Sequence, residues 1–164
     1  MAKEESKLEK LKENYLKIQK EHDLPSFEDL NKDFHIEKIA ELESELLIRE
    51  VRRLVGDKMV NYMRFIENLL NPVNVPMFIF SIVKALSTED KKKLSEMYGD
   101  LVKMEIVFIE LDLEFSEEKE SKFIKDSYKS WQKIKKDLLK VLDNVKIEGE
   151  KGGKIESNNR GYFG

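Results

Sequence analysis

Cysteine is absent from this chain of 164 residues. That excludes disulfides and thiolate metal sites and fits a reducing compartment. Histidine is nearly absent. With only His22 and His35 a multi-histidine metal centre cannot be built, and the Glu-x-x-His pairs that a helical di-metal site demands do not occur. There is no Gly-x-Ser-x-Gly elbow and no glycine loop that could cradle a phosphate. Gly152, Gly153 and Gly161 lie in a polar C-terminal stretch. No metal, cofactor or catalytic residue is therefore expected.

Long hydrophobic runs are lacking as well. The most apolar one, 73–86, is too short to span a bilayer and contains Lys84. The N-terminal Met-Ala-Lys-Glu-Glu-Ser-Lys has no apolar h-region. No membrane association is expected, and the location read from these absences is cytoplasmic. A formal net charge of −3 supplies no long-range basic field to draw the whole chain to nucleic acid.

What is present is charge and helical periodicity. Charged residues make up 38% of the chain, well above the usual quarter or so, beside enough apolar residues for a core. That balance describes helices with Lys/Glu-rich outer faces. Residues 3–21 repeat Leu8, Leu11, Tyr15 and Ile18 at steps of three, four and three, a narrow heptad-like seam. Its helix either packs on the rest of the chain or protrudes and oligomerises. Asp23-Leu24-Pro25-Ser26 stops it, and Ser26 with Asp29 three residues on resembles a capping box. A short helix edged by Phe27 and Leu30 follows, with a turn at 31–33.

The stretch 36–70 is read as one long central helix. At 100° per residue Leu47, Ile48, Val51, Leu54, Val55, Met59, Tyr62, Phe65, Ile66 and Leu69 share one arc. Leu42, Leu46 and Val60 form a second, weaker patch among Arg49, Arg53 and Arg64, with Gly56 near it. A mid-helix glycine costs about 1 kcal/mol relative to alanine, so Gly56 marks either a close helix approach or a bend.

Pro72 and Pro76 punctuate the chain. The helix after them, 77–86, is apolar nearly all round. Such a helix is ordinarily buried on every side, here by the other helices and a partner. Ser87-Thr88-Glu89-Asp90 caps the next helix, whose stripe is Leu94, Met97, Tyr98, Leu101, Met104, Phe108 and Leu111. In 107–115, Val107, Ile109, Leu111, Leu113 and Phe115 also alternate in the strand period. Helix to about Asp112 is favoured, because no second strand is available to pair. Ser116 caps the last helix, with Phe123, Ile124, Trp131, Ile134, Leu138, Val141, Leu142 and Val145 inside and Ser127 among them, ending near Asn144. The polar remainder, 146–164, is read as a disordered tail.

The resulting expectation is an all-α bundle of about five helices, one domain over 1–145. Lys58 falls inside the apolar arc of the long helix, and Glu105 and Asp112 inside that of the helix after Ser87. Such charges must be paired or reach the rim. They form either structural salt bridges or a polar pocket. Three functions remain open. The leading one is a non-enzymatic interaction or scaffold protein that binds a protein partner or itself, with Arg49, Arg53, Gly56, Arg64, Phe78 and Phe80 as the candidate surface. The second is a ligand-binding or enzymatic bundle built on Lys58, Glu105 and Asp112. The third, and least favoured, is nucleic-acid binding through Arg49, Arg52 and Arg53, which would need exposed aromatics among the arginines.

Overall fold

A computed structural model describes residues 1–159, with side chains described at position 1 and from 4 to 151. The chain is all-α. It runs α1 (Ala2–His22), α2 (Phe27–Phe34), a 3₁₀ segment (Ile36–Glu41), α3 (Leu47–Leu70), α4 (Met77–Ala85), α5 (Thr88–Leu113) and α6 (Glu117–Asn159). No strand occurs among the described residues. Among them, too, no helix is long and apolar enough to cross a membrane.

The expected helix over 36–70 is two pieces. The Ser44 hydroxyl accepts from the Leu46 N–H at 3.3 Å and donates to Glu50 at 3.2 Å. These local bonds give the backbone an alternative to the helical ladder. Leu42 and Leu46 are 53% and 43% exposed, so burial offers nothing to offset the break. The core arc of α3 is also rotated from the one expected. Ile48, Val51, Arg52, Val55, Met59, Met63 and Ile66 are buried, whereas Lys58, Tyr62 and Phe65 are half-buried.

The other boundaries follow the local chemistry. Asp29 N–H reaches the Ser26 hydroxyl at 3.1 Å, which caps α2. The turn expected at 31–33 is helical, and the chain turns instead at His35, whose φ of 52° is left-handed. Ser87 and Asp90 form a reciprocal capping box at the start of α5, with Asp90 N–H to Ser87 Oγ at 3.0 Å and Ser87 N–H to Asp90 Oδ2 at 3.2 Å. Helix α5 continues to Leu113, so the strand-like alternation in 107–115 belongs to a helix with apolar residues on two faces. Helix α6 passes the expected end at Asn144 and runs to Asn159. No proline interrupts it, and Lys146–Asp143 (3.7 Å) and Lys151–Glu148 (3.3 Å) support it at i,i+3 spacing. Residues 160–164 of the expected tail lie outside the described residues.

The contacts divide the chain into two compact units. The first comprises Met1–Tyr62 with Leu101–Trp131, the second Met63–Asp100 with Gln132–Gly164. In the first unit α1, α2 and the 3₁₀ segment pack on one another. The α1 seam is therefore used inside the chain, with Leu11 and Tyr15 buried. Tyr15 donates to the Pro25 carbonyl at 2.7 Å and meets the edge of Phe27, and burial pushes its phenol well above the ordinary value. The core of the second unit holds Ile66, Leu69, Ile79, Leu94, Met97, Ile134, Leu138 and Val141.

Candidate functional site

The strongest polar constellation lies in the first unit and centres on Arg52. Its side chain is fully buried. Nε donates to Glu120 Oε2 at 2.6 Å and Nη2 to Glu120 Oε1 at 3.3 Å, a bidentate pair, while Nη1 donates to Asp112 Oδ1 at 2.9 Å. Asp112 ends the last turns of α5 and Glu120 sits in the first turn of α6, so one guanidinium ties both sides of the α5–α6 turn. The positive end of the α6 dipole also favours a carboxylate at Glu120. Burial alone would lower the Arg52 guanidinium, but the hydrogen bonds and charges of Glu120 and Asp112 outweigh it and hold it protonated.

A ring completes the arrangement. Phe108 lies under the guanidinium, 4.8 Å from ring centre to Arg52 Cζ, and packs on Phe123 at 5.8 Å. Gly56 is what admits that ring to α3, since a Cβ built there would run into Phe108. Gly56 is therefore a buried close approach and not part of a surface, which settles the choice between approach and bend. Glu105 is half-buried and lines a shallow apolar recess with Gly56, Met59, Val60, Met104 and Phe108.

Lys58 has other company. Its ammonium donates to the Asp33 carbonyl oxygen and sits 5.2 Å from the Trp131 ring centre and 5.8 Å from that of Phe34. Tyr62 stacks at a tilt on Trp131 at 4.8 Å. Aromatic faces attract a cation electrostatically, and this lysine fills the box its own chain builds. Lys58, Asp112 and Glu105 thus have different surroundings, and the partners of Asp112 are Arg52 and not Lys58. Sequence reasoning missed Arg52 and Glu120 as a pair. The available signal was the wheel position of Arg52, which falls between Ile48, Val55 and Met59.

The arginines of α3 are also differently placed. Arg49 is half-buried and its guanidinium lies 6.0 Å from the Phe115 ring centre. Arg53 is 47% exposed and reaches Glu50 at 3.6 Å. Arg64 is exposed. With Arg52 sealed in the core, these residues do not present one continuous basic face.

In the second unit α4 departs most from expectation. Of its nine residues only Ile79 is buried. Met77, Phe78 and Phe80 are 80%, 62% and 37% exposed, and the preceding Val73 is 65% exposed. Pro76 starts the helix and Leu86 anchors its end in the core. Hence the chain presents this face on a short apolar helix anchored by Ile79 and, at its C-terminal end, by Leu86. Beside it an open cleft of about 570 Å³ is lined by Lys84, Leu86, Asp90, Asn144, Ile147 and Glu148 among others. The buried Asp90 carboxylate accepts from Ser87 N–H and from Asn144 Nδ2 at 3.0 Å. Burial would raise it, but these hydrogen bonds and the Lys93 charge hold it below its ordinary value. One of its oxygens caps α5 and the other ties α5 to Asn144 of α6.

One further cluster brings Glu21, His22 and Glu117 within 4.8 Å of one another. His22 Nε2 and Glu117 Oε1 are 3.0 Å apart, and Lys125 donates to the His22 carbonyl at 3.0 Å. Together these contacts tie the end of α1 to the start of α6. Comparison with protein families, with curated proteins and with solved structures finds no match to this chain.

Proposed function

We propose that this chain is a non-enzymatic protein-interaction module, and that it contacts its partner through the apolar face of α4. The observation that carries this reading is the exposure of Met77, Phe78 and Phe80 on a helix with a single buried residue. Methionine and aromatic side chains are enriched in interface cores. Two aromatic rings and a methionine on a short helix held by Ile79 and Leu86 fit an apolar groove on another protein. The polar clusters support the same reading from the other side. Arg52 and Glu120 have no exposed surface, and Asp90 is spent on a cap. A chain without cysteine suits a reducing setting such as the cytoplasm.

A photo-crosslinking residue placed at Phe78 in the native cell tests this. Covalent adducts to a protein are expected from position 78 and not from Lys92, which is exposed on α5. Equal yields from both positions, or none from either, would contradict the reading.

A further inference from the structure

Helix α5 carries a second uncovered face, in the first unit and independent of α4. Ile106, Ile109 and Leu113 are 55%, 51% and 83% exposed, and Val102 is half-buried. Their steps of four, three and four make a coiled-coil seam, about 17 Å long at 1.5 Å per residue. On the helical wheel Lys103 and Glu110 flank it on one side, Glu105 and Asp112 on the other. We propose that this seam pairs, antiparallel, with the same seam of a second copy of the chain.

Charge decides both the occupant and the direction. About a two-fold axis through the middle of the seam, Ile106 of each copy packs on Ile109 of the other, and Val102 on Leu113. Lys103 of each copy then meets Glu110 of the other, so the favourable pair is made twice. On the opposite flank Glu105 meets Asp112, a like-charge contact that is only softened by Arg52, which lies 2.9 Å from Asp112 and is shared with Glu120. A parallel pair would instead set Glu105 against Glu110 with no compensating cation, and like charges there are unfavourable. The apolar seam and its Lys103–Glu110 flank are thus complementary to themselves under two-fold symmetry, as an isologous contact requires. Four side chains per copy place it among the small, transient interfaces, below about 1,200 Å².

Sedimentation velocity of the full chain across the micromolar range reads this out. The wild type is expected to associate reversibly to dimers, and Ile109→Glu to remain monomeric. Lys103→Glu and Glu110→Lys should each weaken association about tenfold, since each turns two attractions into repulsions. Association should return in the double variant, and also on mixing the two single variants, because each charge again meets its opposite. All these positions are solvent-exposed, so circular dichroism is expected to stay unchanged. A chain that is monomeric throughout overturns the proposal. So does association that survives Ile109→Glu but is lost in Phe78→Asp, which would assign the contact to α4. Failure of the double variant to recover what the single variants lose overturns the antiparallel arrangement.

Discussion

Two apolar seams of nearly the same spacing meet different fates in this molecule. On α1, Leu11 and Tyr15 are 7% and 1% exposed, covered by α2 and the 3₁₀ segment of the same chain. On α5, Ile106 and Ile109 remain more than half exposed. Spacing shows that a helix has an apolar face. It does not show whether the chain folds back to cover that face. The α1 helix turns at Asp23, whose φ of 53° is left-handed, and delivers Phe27 and Leu30 within a few residues. Among the described residues the far flank of α5 receives no such return, while its inner flank (Leu94, Met97, Leu101, Leu111) is buried.

The covered α1 seam should be the more sensitive to substitution. Tyr15→Ala removes a buried ring and its hydrogen bond to Pro25. It is expected to cost about 3–5 kcal/mol of unfolding free energy, measured by urea titration. Next comes the buried guanidinium. Glu120→Gln should cost about 3 kcal/mol, because Arg52 keeps its charge without a buried counter-charge. The double variant Arg52→Met with Glu120→Leu should recover most of that loss if the cluster is purely structural. A double variant as unstable as the single one would show that the pair contributes more than mutual compensation.

Gly56→Ala forces the Phe108 ring out from under Arg52 and should cost about 1–3 kcal/mol. Near-wild-type stability would mean that the ring has room to move. Asp90→Asn is a smaller change with a pH signature. The folded carboxyl titrates below its ordinary value of 3.8. The stability it adds is therefore fully present above that pH and is lost as pH falls through the folded value. The gap between wild type and Asp90→Asn, about 1 kcal/mol near neutrality, should narrow below about pH 4. A gap that stays constant to pH 2 would contradict the depressed titration.

Much of the fold was legible because helix signals are local. Ser26, Ser87 and Ser116 cap where their sequence context says, and Pro72 and Pro76 separate α3 from α4. What escaped was partly a balance of local effects and partly tertiary context. The break at Ser44 turns on one hydroxyl with two local partners. The end of α6 was misplaced because glycine at 149, 152 and 153 lowers helix propensity without forcing a stop. Arg52 lies on the apolar arc of α3, but the carboxylates that pair it, Asp112 and Glu120, are 60 and 68 residues away. Lys58 falls on the apolar arc in sequence, and it is half-buried among Phe34 and Trp131 with a carbonyl acceptor. The apolar character of α4 was plain, but its exposure was not, since hydrophobicity all round ordinarily means burial.

If the uncovered apolar faces serve association and not folding, Leu11→Asp and Ile109→Asp must behave differently in dilute solution, where copies of the chain are apart. Unfolding free energies are expected to separate sharply. Leu11→Asp should lose several kcal/mol or fail to fold, because a charge enters the core. Ile109→Asp should stay within about 0.5 kcal/mol of the wild type. Equal destabilisation by the two substitutions would mean that the α5 seam is part of the folded core, and would contradict the account.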